Sequence, residues 1–377
     1  MLRRRAAAGC SAALMTMLAV ALMAWPARAD SIYGQTNLVS NIPGLASHTD
    51  PDLKNPWGIS FSPTSPFWVA DNGAGLSTLY NGAGVKQGLV VTIPPPPGSP
   101  AGTLATPTGT VFNGTADFMG DRFIFASEDG MITGWRPALG TAAAIEVLPT
   151  GGIYKGLATG SNASGNFLYA TDFKGGKIDV FDATYGAATL SGNFTDPNLP
   201  AGYAPFGIEN IGGSLYVTYA KVGAGGDDEA GAGNGFVDVF DTDGKFVRRF
   251  ASQGVLNSPW GLALAPAHFA AFSNALLVGN FGDGMINAFD LLGNPLGHLS
   301  DLNGDAIVNE GLWALKFGNG GAKFDTNALY LTAGLNDEAD GLFAKIEVTP
   351  EPASVVLFGT ALAGFAALIR RRKNRLR

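Results

Sequence analysis

Cysteine and histidine, the side chains that most often supply nucleophiles and metal ligands, are nearly missing from this chain. Its 377 residues include one cysteine, Cys10, and three widely separated histidines, His48, His268 and His298. A disulfide framework and a cysteine-rich zinc site are therefore excluded. The GxSxG sequence that places a nucleophilic serine on a sharp turn is also absent. Catalysis by a thiol or by such a serine has no support in the sequence.

Basic residues are scarce in the middle of the chain. Residues 30–349 contain 14 Lys and Arg against 30 Asp and Glu, a net formal charge of −16, and the two ends hold ten of the 24 basic side chains. A surface this negative repels phosphate, so nucleic acid is excluded as a partner. It also disfavours an anionic polysaccharide unless cations bridge the two surfaces.

Long stretches with helical periodicity are absent between the two ends. Glycine, with 53 residues, and proline, with 22, interrupt short apolar runs throughout. This pattern predicts an all-β fold. The one low-complexity stretch, residues 92–110, is interpreted as a surface connection inside a single domain.

The N-terminus has the three parts of a secretory signal peptide. A basic start at residues 3–5 precedes an apolar run at 12–25, and Ala27-Arg28-Ala29 supplies the small residues that signal peptidase reads. We predict a signal peptide over 1–29 with cleavage after residue 29. The alternative, a membrane anchor, is weaker because the apolar run is short for a span.

The C-terminus, residues 350–377, also has three parts. Pro350-Glu351-Pro352 precedes an uncharged run at 353–369, and a basic cluster follows that includes Arg370, Arg371 and Arg372. As a helix the run is about 25 Å long, slightly short of the ~30 Å hydrocarbon core. Basic residues after a span stay cytoplasmic, so the preceding domain is expected outside.

This order of parts resembles the PEP-CTERM sorting signal. The resemblance implies a Gram-negative bacterium, recognition by an exosortase, and cleavage near the Pro-Glu-Pro after transient passage of the run through the membrane. It further implies a final location at the cell surface, in the outer envelope or in the extracellular matrix. A permanent transmembrane tail anchor is the alternative, and it also places the domain outside the cytoplasm.

A short motif recurs about every 50 residues and opens six similar units. The six copies are PWGI (56–59), PTGT (107–110), KGLA (155–158), PFGI (205–208), PWGL (259–262) and LWAL (312–315). Two further apolar runs follow each copy, and in five units a more variable fourth run follows, such as residues 191–195 in the third unit. Six units of four strands predict a six-bladed β-propeller over residues 30–349.

The sixth unit lacks its own fourth run, and an orphan strand at 36–40 precedes the first unit. We expect this N-terminal strand to complete the last blade and close the ring, which removes exposed sheet edges. Two stacked β domains are the alternative, but they do not explain the orphan strand.

The first unit, NPWGISFSPTSPFWVADNGAGLSTLY (55–80), resembles an NHL-type repeat. The chain as a whole is similar to exported bacterial propellers that carry PEP-CTERM tails. This resemblance implies a fold and a location but no chemistry. Broader NHL relatives bind proteins or RNA, and propeller lactonases bind a divalent metal.

Acidic residues concentrate on one face of the predicted propeller, which we call the acidic face. It carries the connections from strand four to the next strand one and from strand two to strand three. On the loop 223–235, the adjacent Asp227, Asp228 and Glu229 are oxygen ligands that suit calcium. A solvated acidic loop is the alternative, since runs of like charge are usually solvated.

A second candidate set lies where the second strands end. These residues are expected to surround a shallow central basin and to hold a cation or a sugar: Asp71, Glu128, Asp172 and Asn280. The alternative is that Asp and Asn only form turns there. The aromatic residues that recur in the first strands are expected to be core: Trp57, Phe206, Trp260 and Trp313.

The sequence favours a non-enzymatic binding or structural propeller that engages a polysaccharide or a surface protein, with calcium as the only candidate cofactor. The alternative is a divalent-metal-dependent hydrolase or lactonase with its site in the central basin. The Glu-Gly-Pro of propeller lactonases is replaced here by Asn55-Pro56-Trp57. A metal held at the ring axis by several blades would favour the hydrolase, and an axis plugged by side chains would favour the binding module.

Overall fold

The computed structural model describes residues 33–349, and these form a six-bladed β-propeller. The prediction of an all-β propeller with six blades is therefore confirmed. The predicted signal peptide (1–29) and sorting segment (350–377) lie outside the described residues. No helix within 33–349 has the length and hydropathy needed to cross a membrane.

The strands are numbered along the chain. The first two, which belong to the last blade, are β1 (Tyr33–Ser40) and β2 (His48–Thr49). Blade one contains β3 (Pro56–Ser60), β4 (Phe67–Asp71), β5 (Leu76–Tyr80) and β6 (Lys86–Thr92). Blade two contains β7 (Pro107–Phe112), β8 (Phe123–Ser127), β9 (Ile132–Trp135) and β10 (Ala144–Val147). Blade three contains β11 (Tyr154–Asn162), β12 (Gly165–Asp172) and β13 (Lys177–Phe181).

The remaining strands form the second half of the ring. Blade four contains β14 (Tyr203–Ile211), β15 (Ser214–Lys221), β16 (Gly235–Phe240) and β17 (Phe246–Ser252). Blade five contains β18 (Pro259–Leu264), β19 (Leu276–Asn280), β20 (Ile286–Phe289) and β21 (Pro295–His298). Blade six contains β22 (Leu312–Phe317), β23 (Leu329–Gly334) and β24 (Asp340–Val348) together with β1 and β2. Short helical turns occur at Asn72–Ala74, Phe118–Gly120, Pro137–Leu139, Ala270–Phe272 and Leu335–Glu338.

The N-terminal strand closes the ring, as predicted. β1 pairs antiparallel with β24, from Tyr33 opposite Val348 to Ser40 opposite Leu342. The strand begins three residues earlier than the sequence indicated, and β2 adds a short parallel pairing at its outer edge. This closure joins the two ends of the domain and removes an exposed edge from blade six.

The glycine of the repeated motif allows the inner strands to approach one another. The first strands of the six blades form a ring around the axis in which each strand contacts both neighbours. A Cβ on Gly58 would lie 2.6 Å from the carbonyl oxygen of Thr108 in the next blade. A Cβ on Gly207 would overlap the carbonyl oxygen of Trp260 in blade five. In blades one to five glycine therefore recurs because a side chain at this position would push neighbouring blades apart, whereas blade six accommodates Ala314.

Every inner strand has a break in register at this position, which is glycine in blades one to five and Ala314 in blade six. Such a bulge leaves a backbone N–H without its usual partner on the adjacent strand. In blade four the N–H of Gly207 donates instead to Oγ1 of Thr218, at 2.8 Å. The N–H of Gly156 donates in the same way to Thr171 in blade three, and that of Ala314 donates to Thr332 in blade six.

Blade three is the exception to the four-strand pattern. The fourth strand predicted at residues 191–195 does not form, and the sheet ends at β13. The N–H of Gly192 donates to the carbonyl of Asp243, and the N–H of Phe194 donates to that of Gly244. This segment is therefore attached to the turn between β16 and β17 of blade four and cannot pair with its own blade.

Candidate functional site

Aromatic side chains from four blades close the propeller axis. The indole rings of Trp57 and Trp313 stack with their centroids 3.5 Å apart, and Trp260 meets Trp313 edge-on at 5.7 Å. Phe206, from a fourth blade, lies 5.9 Å from Trp313. All four rings are buried. We call this group the aromatic plug. It agrees with the expected core role, although the rings meet across the axis.

A lysine lies directly against the plug on the acidic face. Lys155 is only 5% exposed, and its Nζ is 5.0 Å from the ring centroid of Trp57. The same nitrogen is 2.7 Å from Oε1 of Glu128 and 3.4 Å from Oδ1 of Asp227. Burial acts to lower the pKa of Lys155, but the charge and hydrogen bond of Glu128 outweigh burial and raise it. The ammonium group is therefore firmly protonated.

Glu338 reaches the same region from blade six. Its Oε2 accepts a hydrogen bond of 3.2 Å from Nδ2 of Asn55, whose Oδ1 accepts one of 3.1 Å from Nε1 of Trp313. Burial, followed by repulsion from Glu128, raises the pKa of Glu338 to about 7. Hydrogen bonds and charge interactions connect a group of polar side chains here, which we call the axial basin: Asn55, Asn72, Glu128, Lys155, Asp227, Asp228 and Glu338.

Strained backbone brings Glu338 into the basin. Asn336, Asp337 and Glu338 have φ values of 55°, 52° and 64°, so three consecutive residues with side chains adopt the left-handed conformation. Such residues cost roughly 1–3 kcal/mol each and persist only where the surroundings impose them. Strain of this kind clusters at functional sites, so the turn marks the basin as a candidate site.

Glu128 lies at the axis for a different reason from the one expected. The sequence matched it to Asp71, but the register places Val69 opposite Ile59 and Phe125 opposite Thr110. Ser127 is therefore the counterpart of Asp71. A shift of one residue turns a side chain to the other side of a strand. Glu128 corresponds instead to Asn72, whose Nδ2 donates to Oε2 of Glu128 at 3.0 Å.

The other three members of that candidate set do not reach the basin. Asp71 is fully buried, and its Oδ2 accepts hydrogen bonds from the N–H and hydroxyl of Thr78. Burial is the main reason that the pKa of Asp71 is raised. Asp172 accepts backbone bonds from Ile153 and Gly175. Asn280 donates to the carbonyl of Val255. These contacts indicate that the three side chains stabilise local turns and loops.

The three acids of the loop 223–235 separate in the structure. Asp227 and Asp228 lie near Lys155, and burial is the main cause that raises the pKa of Asp228. Glu229 turns away and pairs with Lys221 at 2.6 Å. Between residues 33 and 349, no group of three or more His, Cys, Asp or Glu side chains is arranged to hold a metal ion. The predicted calcium ligands therefore do not converge.

Several other acids of the acidic face are neutralised by basic residues of the fourth strands. Asp50 and Asp52, which precede blade one, both pair with Lys86 of β6, at 2.8 and 2.6 Å. In blade four, Arg249 of β17 pairs with Asp196 in the same way. These pairs fasten the connection that leads into a blade to its outer strand. They leave the axial basin as a place on this face where carboxylates outnumber cations.

Sequence reasoning missed Asn55, Asn72, Lys155 and Glu338. One signal was available for Lys155, because a lysine stands where three other units have tryptophan and one has phenylalanine. A second signal was Asn336-Asp337, since Asn and Asp tolerate the left-handed region better than most residues. The contacts among blades one, two, three and six could not be read from spacing.

The fold and the C-terminus define a six-bladed propeller with a sorting signal. Residues 348–373 match the PEP-CTERM protein-sorting motif, which marks bacterial proteins for export and sorting to the cell exterior. The chain is 36% identical over 340 residues to uncharacterized protein R648 of Acanthamoeba polyphaga mimivirus, covering 85% of this chain and 82% of that one. Uncharacterized protein L690 of the same virus is 34% identical over 342 residues, with 85% and 87% covered. The chain belongs to the family of these proteins.

Solved structures with a similar fold are more distant. A streptogramin B lyase structure has a TM-score of 0.46 at 14% identity and covers 84% of this chain and 98% of its own. The WD40 domain of Neurospora crassa Pan2 has a TM-score of 0.46 at 12% identity, with 86% and 98% covered. These similarities concern the fold alone.

Proposed function

We propose that this protein is an exported binding module whose ligand docks in the axial basin. The observation that carries the proposal is the ion pair between the buried Lys155 and the half-buried Glu128, which lies against the aromatic plug beside the strained Glu338 turn. Buried charge and strained backbone both lower stability and are retained where they serve a site. A pocket with few convergent polar groups over aromatic rings is a general form of ligand site.

The charge of the basin indicates the chemistry of its ligand. Glu128, Asp227, Asp228 and Glu338 surround one ammonium group, so the basin carries excess negative charge. Burial is the main reason that the pKa of Glu338 is raised, and repulsion from Glu128 adds to it, while the ammonium group of Lys155 offsets only part of the shift. A ligand that presents an ammonium or guanidinium group would supply a further positive charge. We therefore favour a surface protein with an exposed Lys or Arg, or a polysaccharide that contains amino sugars.

The binding role is favoured over the lactonase alternative by the state of the axis. A metal-dependent lactonase needs an open basin in which several blades contribute ligands to one ion. Here the four rings of the aromatic plug occupy the axis. The absence of a metal-holding group within residues 33–349 gives the hydrolase and calcium hypotheses no support.

Export and sorting complete the proposal. We propose a signal peptide at 1–29, a propeller domain at 30–349 related to NHL repeats, and a sorting segment at 350–377. Signal peptidase would remove the first segment, and an exosortase would process the last near Pro350-Glu351-Pro352. The final location would be the surface or matrix of a Gram-negative bacterium. The PEP-CTERM match supports the sorting step.

The test uses the tryptophans of the plug as reporters. The exported protein is titrated with Arg- and Lys-containing tripeptides and with glucosamine oligomers while indole fluorescence is followed. We expect saturable binding by one of these ligands and at least a tenfold loss in the Glu128→Gln/Glu338→Gln variant. Asp305→Asn, which removes one carboxylate at an exposed position on the same face, should leave binding intact. Equal binding by all three proteins would disprove the proposed site.

A further inference from the structure

Blade three has an open sheet edge, and this feature is independent of the axial basin. β13 is the last strand of this blade, whereas the sheets of the other blades continue to a fourth strand. The chain begins to supply a fourth strand, because Phe181 pairs with Ala187 and the N–H of Ala188 donates to the carbonyl of Val180 at 2.8 Å. The pairing then stops, and the first half of β13 is left without a neighbour.

The chain leaves β13 because blade four holds it. Beyond the hydrogen bonds of Gly192 and Phe194, the ring of Phe194 packs against Tyr169 and Phe240. Asp196 is then fixed by its ion pair with Arg249. A Cβ on Gly192 would overlap the backbone of Gly244, so this close attachment requires a glycine. The displaced segment is thus anchored several residues away from the edge that it would otherwise cover.

The displacement leaves a groove in the place of the missing strand. A cavity of about 440 Å³ is lined by all of β13 (Lys177–Phe181) on one side and by Ala187–Leu190 and Gly192–Phe194 on the other. Because backbone groups alternate along a strand, the outward carbonyl of Val180 implies that the N–H and C=O of Ile178 also point into the groove. No backbone hydrogen bond joins Ile178 to residues 187–194 in the described chain.

The two walls of the groove differ in chemistry. On the side towards blade four, Ile178 and Val180 pack with Ala188, Leu190 and Phe194 in one apolar cluster. On the side towards blade two, Lys177 and Asp179 form an ion pair of 2.6 Å. Side chains of an added strand would point alternately towards these two walls. The strand that fits has apolar residues at every second position and polar residues between them.

The charges on the polar wall indicate which polar residues the added strand should carry. Asp179 also accepts a hydrogen bond of 2.9 Å from the hydroxyl of Tyr154, and Asp172 lies 4.0 Å from Lys177. The polar wall therefore presents the carboxylate of Asp179 and the ammonium group of Lys177, with the buried carboxylate of Asp172 behind them. Because the protein as a whole is strongly negative, a basic residue of the partner is favoured on this side.

We propose that blade three binds an extended peptide segment of a partner protein, which adds to β13 as the missing fourth strand. The segment runs antiparallel to β13, as the fourth strands of the complete blades do. Main-chain hydrogen bonds to Ile178 supply affinity, and alternating apolar and basic side chains supply specificity. The open edge is in this way a docking position on the side of the propeller.

The experiment uses the whole exported protein and a synthetic heptapeptide, acetyl-TVKVTVK-amide, carrying a fluorophore. Its valines face the apolar wall, and its lysines and threonines face the polar wall. We expect saturable binding by fluorescence anisotropy and at least a tenfold slowing of hydrogen exchange at the Ile178 amide. No saturable binding at millimolar peptide would overturn the proposal.

Two N-methylated peptides provide the matched control. Residues directly opposite Ile178 place their side chains on its side of the sheet, so the valines are the residues whose N–H groups point at β13. N-methylation of the valines should reduce affinity at least tenfold, whereas N-methylation of the central Lys and Thr should be tolerated because their N–H groups point to solvent. Equal affinities of the two peptides would show that strand addition does not occur.

A protein variant separates this groove from the basin. Leu190→Asp places a charge on the apolar wall at a partly exposed position, and we expect at least a tenfold loss of heptapeptide binding. The Glu128→Gln/Glu338→Gln variant should bind the heptapeptide as the parent does. Loss of heptapeptide binding in the basin variant alone would place the peptide at the axis and overturn the proposal.

Discussion

The ammonium group of Lys155 is 2.7 Å from the carboxylate of Glu128 and 5.0 Å from the centre of the Trp57 indole ring. These three residues come from blades three, two and one, so a single buried contact ties half of the ring together at the axis. It also determines the charge of the basin, because Lys155 is the cation that the surrounding carboxylates share. The stability of the domain and the chemistry of its candidate site therefore depend on the same side chain.

The first prediction concerns removal of this cation. Lys155→Met keeps the volume and the contact with Trp57 but leaves Glu128 without its partner. Removing the buried partner of this ion pair leaves the half-buried carboxylate of Glu128 partly desolvated and without a counter-charge. We expect the free energy of unfolding to fall by about 2 kcal/mol. Urea denaturation measures it, with the exposed Lys174→Met as the control. Similar stability of the two variants would contradict the assigned role of Lys155.

The second prediction concerns pH. The pKa of Glu338 is raised to about 7 by burial and by repulsion from Glu128, above its ordinary value near 4.5. Between these values the folded protein holds a proton that the unfolded chain has released, so this group makes stability fall as pH rises from about 4.5 to 7.

Glu338→Gln removes this dependence and keeps an oxygen that accepts from Asn55. We expect the variant to be more stable than the parent at pH 8 by about 1 kcal/mol and to approach it at pH 5. Thermal melts of both proteins across this range test the difference. Asp238, whose pKa is also raised to about 7, mainly by burial, is present in both proteins and cancels in the comparison. A constant difference at all pH values would be inconsistent with a titrating Glu338.

How far the fold could be predicted depends on what the repeats encode. Gly58 and its counterparts recur because neighbouring inner strands touch there, so the spacing of the motif counted the blades correctly. The orphan run at 36–40 identified the closing strand because only the sixth unit lacked a fourth apolar run in the sequence. The first inference rests on a constraint that recurs in five of the six blades, and the second rests on the one unit whose fourth run is missing from its own end.

The candidate site was harder to predict from the sequence than the fold, because it depends on differences between the repeats. Glu128 reaches the axis through a one-residue offset from Asp71, and the sequence around the two residues does not reveal the register. Glu338 depends on a left-handed turn that no residue type requires. The missing strand of blade three was mispredicted because residues 191–195 have strand-like spacing but are held by Asp243 and Gly244 of the next blade.

The third prediction tests the reason for the repeated glycine. Gly207→Ala would place a methyl group against the carbonyl of Trp260 and 2.9 Å from Oγ1 of Thr218. Relief requires neighbouring blades to separate, so we expect a loss of at least about 3 kcal/mol in unfolding free energy. Gly88→Ala is the control, since an added methyl group there meets no atom within 4 Å. Equal melting temperatures of the two variants would refute close approach as the cause.

The fourth prediction concerns calcium. The acids of the loop 223–235 diverge, with Glu229 bound to Lys221 and Asp227 directed towards Lys155. A ligand that binds only the folded protein raises its melting temperature, and the increase grows with the logarithm of the ligand concentration once that exceeds Kd. Because the described residues contain no group arranged to hold a metal, we expect the same melting temperature in millimolar calcium and in excess chelator. A higher melting temperature in calcium, abolished by Asp227→Asn/Asp228→Asn, would instead mean that the loop rearranges around an ion. In that case the basin would gain a divalent cation in place of the cationic ligand group that we propose.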